Sequence, residues 1–106
     1  MKTGLETIKL GLTNSVITVP EGRFYVINSL YLSNIDVVDR SASVYIKRPD
    51  SLDSYYLVKE AVISVQLALQ VISNAVFLQE GDILFVDTSL GNTLDCVLSY
   101  EDKYKY

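Results

Sequence analysis

The chain reads as an all-β domain, a single antiparallel β-sandwich of about eight short strands in a jelly-roll-like arrangement. Three observations predict this. Val, Ile, Leu and Tyr dominate an apolar fraction of 49%, a composition that favours pleated, half-buried surfaces over helices. Short period-2 runs recur along the chain, separated by turn residues, which points to a two-sheet sandwich or the related small barrel. Two similar turns, Pro20-Glu21-Gly22 and Gln79-Glu80-Gly81-Asp82, each stand directly before a long apolar strand, as in a fold with two related halves. At 106 residues the chain forms one domain that buries a core without staples. Residues 1–14 form an edge strand or arm, and 101–106 a C-terminal tail.

The organising stretch is Val76 to Tyr100. Leu94, Cys96, Leu98 and Tyr100 alternate with Asp95, Val97 and Ser99, one apolar face against one mostly polar face. Ile83-Leu84-Phe85-Val86 is apolar on both sides and reads as a central strand. Leu90-Gly91-Asn92 supplies turn residues between the two, so the stretch predicts a hairpin.

From the N-terminus, Thr7 to Leu12 alternates as an edge strand, and Ser15 to Val19 as a second strand stopped by Pro20-Glu21-Gly22. Phe24 to Asn34 changes its apolar parity near Asn28-Ser29, and a bulge there reconciles its halves. Ile35 to Ser41, with Asp36, Asp39 and Arg40, reads as an exposed connection. Ala42 to Lys47 follows as a strand with Val44 and Ile46 inward, and Arg48 to Ser54 is the most loop-like segment. Tyr55 to Lys59 is a short strand. Ile63, Val65, Leu67, Leu69 and Val71 alternate without a break, predicting a strand over 63–71 with an irregular start near Glu60-Ala61. A helix over 60–70 is the competing assignment.

Chemistry is sparse. No histidine is present, which removes the usual general base, the commonest metal ligand and every Ser-His or Cys-His pair. The carboxylate pairs Asp50/Asp53 and Glu80/Asp82 lie in turns, where acidic residues serve the backbone. Asp36, Asp39, Asp50 and Asp53 carry the hard oxygens calcium takes, but their spacing resembles no EF-hand, and they read as solvated loop carboxylates. No glycine-rich phosphate loop, and no cofactor, is indicated. The single cysteine, Cys96, falls in the apolar alternation as a core side chain. The net charge of −4, with nine scattered Lys and Arg, shows no nucleic-acid footprint. Glu6 and Lys9 interrupt the first apolar stretch, unlike a signal peptide, and no run approaches the roughly 18 apolar residues of a membrane span.

The eight tyrosines are the clearest sign of a contact surface, since tyrosine joins a large apolar area to a polar tip; plain β-propensity explains them equally well. Tyr55, Tyr56, Tyr100, Tyr104 and Tyr106 are the candidate protein-interface residues. The last seven residues read as an edge strand, an arm laid on a neighbour, or a frayed end.

Four motifs in order, Val19-Pro20-Glu21-Gly22, Ser29-Leu30-Tyr31-Leu32-Ser33-Asn34, Leu78-Gln79-Glu80-Gly81-Asp82 and Asp95-Cys96-Val97-Leu98-Ser99-Tyr100, resemble small β-sandwich virion proteins of tailed bacteriophages. The resemblance spans roughly residues 15 to 101. It implies a non-enzymatic part of the phage particle, made in the host cytoplasm: a capsid decoration or cement protein, or a neck, tail or baseplate accessory. Its partners would be other virion proteins, such as the major capsid, neck or tail proteins, and copies of itself, often as trimers. The Arg48 to Tyr56 loop and the tyrosine-rich tail do not belong to that pattern. The alternative from another class is a carbohydrate-binding jelly-roll module, which requires two or three coplanar aromatic rings in one groove or a calcium-held loop.

Overall fold

A computed structural model describes residues 2–105. Among them no helix forms, and nine strands build two antiparallel sheets. The strands are β1 (Lys2–Lys9), β2 (Thr13–Thr18), β3 (Arg23–Asn34), β4 (Arg40–Lys47), β5 (Ser54–Ile63), β6 (Ala68–Ile72), β7 (Val76–Leu78), β8 (Ile83–Thr88) and β9 (Leu94–Tyr104). One sheet runs β1-β9-β3-β6, with β7 also on β3, and the other runs β2-β8-β4-β5.

This strand order is that of a jelly roll. Lys2 pairs Asp102, Asn14 pairs Val86, Val26 pairs Phe77, and Ile46 pairs Tyr55. In each pair the partners stand nearly equidistant from the loop between β4 and β5. The chain is thus one long two-stranded ribbon folded at that loop and rolled up, and its successive ladders fall in alternate sheets. The pairings of β3 with β9 and of β4 with β8 close the roll. Inward residues of both sheets fill a single core, in which Leu10, Ile27, Leu30, Leu32, Val44, Leu84, Val86, Leu94, Cys96 and Leu98 have no exposed surface.

Rolling the ribbon brings the inter-sheet corners together in pairs. Pro20–Gly22 and Gln79–Asp82 meet: the Gly81 N–H donates to Val19 O (2.9 Å) and the Val19 N–H to Asp82 O (3.0 Å). Gly81 takes a φ of +84° there and lies against the Pro49 ring, so it meets two demands only glycine satisfies. At the opposite end the β1–β2 and β8–β9 corners meet, with the Asn92 N–H on Leu10 O and the Thr88 N–H on Leu12 O (2.8 Å). Beside them the β3–β4 and β5–β6 corners are tied by the Asn34 N–H on Leu67 O (2.9 Å). The Asn34 side chain, 3% exposed, donates to Val38 O and Ile63 O and accepts from the Asp36 N–H.

Four sequence expectations change. Val76 to Tyr100 contains no hairpin, because β8 and β9 belong to different sheets and face each other across the core. Strands paired in one sheet and strands opposed across a sandwich carry the same alternation. The strand expected over 63–71 is broken by a turn in which the Leu67 N–H bonds Ser64 O and Gln66 adopts a φ of +59°, and the helix expected as its competitor is absent. The first strand starts at Lys2, not Thr7, and Gly11 belongs to a corner. Residues 101–104 are no tail but the end of β9, between β1 and β3. The bulge expected near Asn28-Ser29 is present, with the β3–β9 register shifting between Ile27 and Ser29, which lets Val26 and Ile27 both be buried. Glu60 is irregular as expected, at a φ of +51°, but it lies within β5, which runs on to Ile63, rather than at the start of a strand over 63–71.

Asn34→Leu removes the bond to the buried Ile63 carbonyl and the part-buried bonds to Val38 O and the Asp36 N–H, so it should destabilise the fold by about 2–4 kcal/mol in urea unfolding, far more than a surface change.

Candidate functional site

The tyrosines divide among three surroundings. Tyr100 stacks on Tyr25 (centroids 5.1 Å, 18° between planes) at the rim of the core. Its ring lies across Gly4 of the edge strand, where a Cβ would collide with it, so a glycine and a cross-strand aromatic complete each other. Tyr104 is 62% exposed but held: Arg23 lies over its ring at 4.1 Å and pairs with Asp102 at 2.7 Å. The Asp102 hydrogen bond raises the Arg23 pKa. Tyr55 and Tyr56 are about half exposed on β5. Tyr106 lies outside the described residues.

Tyr56, Tyr45 and Phe85 occupy neighbouring strands on the outer face of the second sheet. Tyr45 is buried between the other two, tilted 44° from Tyr56 and parallel to Phe85, and its hydroxyl donates to Asp87 (3.1 Å). Burial, then this hydrogen bond, pushes the Tyr45 pKa up. Beside Tyr56 lies an open polar groove of about 340 Å³ with Ser43, Lys59, Glu60, Asp87 and Ser89 on its walls. Lys59 hangs over the Tyr56 ring at 5.1 Å. The three rings therefore form a packed cluster in which one ring is tilted and one buried, not a coplanar exposed platform.

The carboxylates serve the backbone. Glu80 accepts from Lys105 Nζ (2.7 Å) and the Gly22 N–H (2.8 Å), which in that order lower its pKa. Asp82 is buried, accepts from the Gln79 N–H and faces Arg48 at 3.4 Å. Asp36 and Asp39 stand at one end of the sandwich and Asp50 and Asp53 in the β4–β5 loop at the other, so these four share no ion. Among the described residues no group of three or more Cys, Asp or Glu side chains is placed to hold a metal. Cys96 is fully buried, and desolvation pushes its thiol up to about 12.

The feature that stands out is one the sequence reading passed over. Four corners share one end of the sandwich, and they expose apolar side chains: Val37 (80%), Leu67 (62%), Leu12 (59%), Ile35 (50%), Val38, Leu90 and Val65. Two acidic neighbours accept amides of these corners. Asp36 takes the Val37 N–H and pairs with Arg40 at 2.6 Å, and its pKa falls for those two reasons in that order. Asp39 takes the Val65 N–H (2.9 Å). Seven exposed aliphatic side chains gathered on the corners of one end, interspersed with exposed polar residues such as Asp39 and Gln66, depart from the scattered single apolar residues of an ordinary surface. The signal in sequence was Ile35, Val37 and Val38 inside a connection judged by its charges.

Comparison of the chain with protein-family models, with curated protein sequences and with solved structures finds no match.

Two outcomes follow. Cys96 should not react with a thiol reagent at pH 8 until the protein unfolds, because the site combines burial with a thiolate that barely forms. The Gly22 amide proton resonance should titrate with Glu80. A lowered folded pKa means the clamp persists above the ordinary glutamate range and is lost as pH falls through the folded value. The midpoint should therefore lie below that range, and Glu80→Gln should abolish it.

Proposed function

We propose that this chain is a non-enzymatic structural protein of a tailed-bacteriophage particle, a capsid decoration or cement protein or a neck, tail or baseplate accessory. It acts through homo-oligomeric contacts and contacts with other virion proteins. The observation that carries the reading is the apolar pole, on which seven exposed aliphatic side chains project from corners that hydrogen bonds tie to a rigid sandwich. Such a surface gains from burial against a protein neighbour and little from a small polar ligand. The ordered motifs resembling small virion β-sandwiches point the same way, and two of them, Val19 to Gly22 and Leu78 to Asp82, are corners bonded to each other.

The mechanism is linkage. A protein that binds an assembled shell better than free subunits shifts assembly by mass action, and many equivalent contacts of modest strength act together through multivalency. Rigid corners lower the ordering cost of each contact. A carbohydrate-binding role would rest on Tyr56 and the half-buried Phe85, which Tyr45, buried between them, keeps from forming one exposed platform.

The test is immunogold labelling of purified particles from the source phage, paired with a Val37→Asp/Leu67→Asp variant. Label on the particle is expected, over the head for a cement protein or at the neck or tail for an accessory. The variant should fold normally and lose incorporation at least tenfold, as a charge forced into an apolar contact costs more than the roughly 1.4 kcal/mol this represents. Absence of the chain from intact and disrupted particles would overturn the reading.

A further inference from the structure

The jelly roll leaves four open strand edges, and three are blunted. β2 carries a register shift between Ser15 and Ile17. β5 shifts twice against β4 and holds Glu60 at a positive φ. The β6–β7 edge is interrupted between Ile72 and Val76 and shifts at Leu30/Tyr31. Bulges and breaks of this kind keep an edge from accepting another strand. β1 differs, since from Lys2 to Lys9 it pairs with β9 residue for residue without a shift. Its outer side is an unbroken antiparallel template, with N–H and C=O groups on alternate residues turned away from β9.

The side chains on this edge suit one occupant. On the outer face of the first sheet, Leu5 lies beside Ser99 and Ser29, and Thr7 beside Val97 and Tyr31, an uncharged band reaching the edge. Leu5 is 67% exposed. Lys9, at the end of the strand, is paired to Asp95 at 2.9 Å. Glu6, half-buried, stands on the opposite face of the strand with Gly4 and Ile8.

We infer that β1 pairs with β1 of a second copy, antiparallel about a two-fold axis through Leu5. The strand is self-complementary in that register. Leu5 meets Leu5 of the second copy, Thr3 meets Thr7, and Glu6 meets Gly4, with no like charges opposed. An axis through Glu6 would oppose two carboxylates, and one through Thr7 would set Leu5 against Lys9 and leave the start of the strand unpaired. The contact is isologous and joins the two outer sheets into one continuous sheet, β6-β3-β9-β1 running into its copy. This goes beyond the virion reading and holds for the isolated chain whatever particle it belongs to.

The experiment is sedimentation of the purified full chain over a concentration series, with Leu5→Lys and Leu5→Cys. A concentration-dependent dimer is expected, weakened roughly tenfold or more by Leu5→Lys through opposed ammonium groups, while circular dichroism and the unfolding midpoint stay as in the parent. Leu5→Cys should form a covalent dimer under mild oxidation, because opposed Cα atoms in an antiparallel pair lie about 4.5–5.5 Å apart. The buried Cys96 does not compete. The cysteine change is small and uncharged, so it keeps the test open should the lysine variant fail to fold. A chain that stays monomeric throughout, a trimer, or an oligomer dissolved by Val37→Asp but untouched at Leu5 would each overturn the proposal.

Discussion

The constraint on which the rest of this structure depends is the nesting of its ladders about the β4–β5 loop. Because partners lie nearly equidistant from that loop, pairing can extend outward from a local contact, Lys47 with Ser54, to the most distant, Lys2 with Asp102. Each ladder formed shortens the effective loop that the next must close, which tempers the entropy of closure that makes all-β topologies slow. The roll then has to bend the ribbon at three places, and at each bend both strands turn together. The paired corners follow directly from this.

Buried polar groups mark those bends. Asn34 serves three backbone groups in two segments at one end, and Asp82, beside Arg48, braces the corner at the other. In a low-dielectric core such groups discriminate sharply between the right and the wrong geometry, since an unmet partner is costly and a met one nearly neutral. They specify where the ribbon bends, while the aliphatic core between the sheets supplies the drive to bend it.

The same topology separates the surfaces. One end gathers four corners with projecting aliphatic side chains, the other gathers the β4–β5 loop and the Arg23–Asp102–Tyr104 clamp, and the flank carries the unblunted edge of β1. The two ends and the open flank are separate surfaces that do not compete for area, and the β4–β5 end exposes apolar side chains of its own, Leu52 at 99% and Phe77 at 71%.

Sequence alone determined the elements whose signals are local. Proline and glycine chemistry marked the Pro20–Gly22 and Gln79–Asp82 turns, a change of parity marked the bulge at Asn28, and strict alternation marked Cys96 as a core residue. All-β class and the absence of histidine follow from composition and order with no geometry needed. What only the tertiary structure decided is which strands pair and which surfaces converge. Alternation records that a strand has a buried face but not which sheet lies behind it, so β8 and β9 read as a hairpin and prove to be opposed. It also runs on through Ser64–Leu67, where a left-handed Gln66 turns the chain without disturbing the parity. The apolar pole was invisible for the same reason: Leu12, Val37, Leu67 and Leu90 are far apart along the chain, each unremarkable in its own loop, and only the roll sets them side by side.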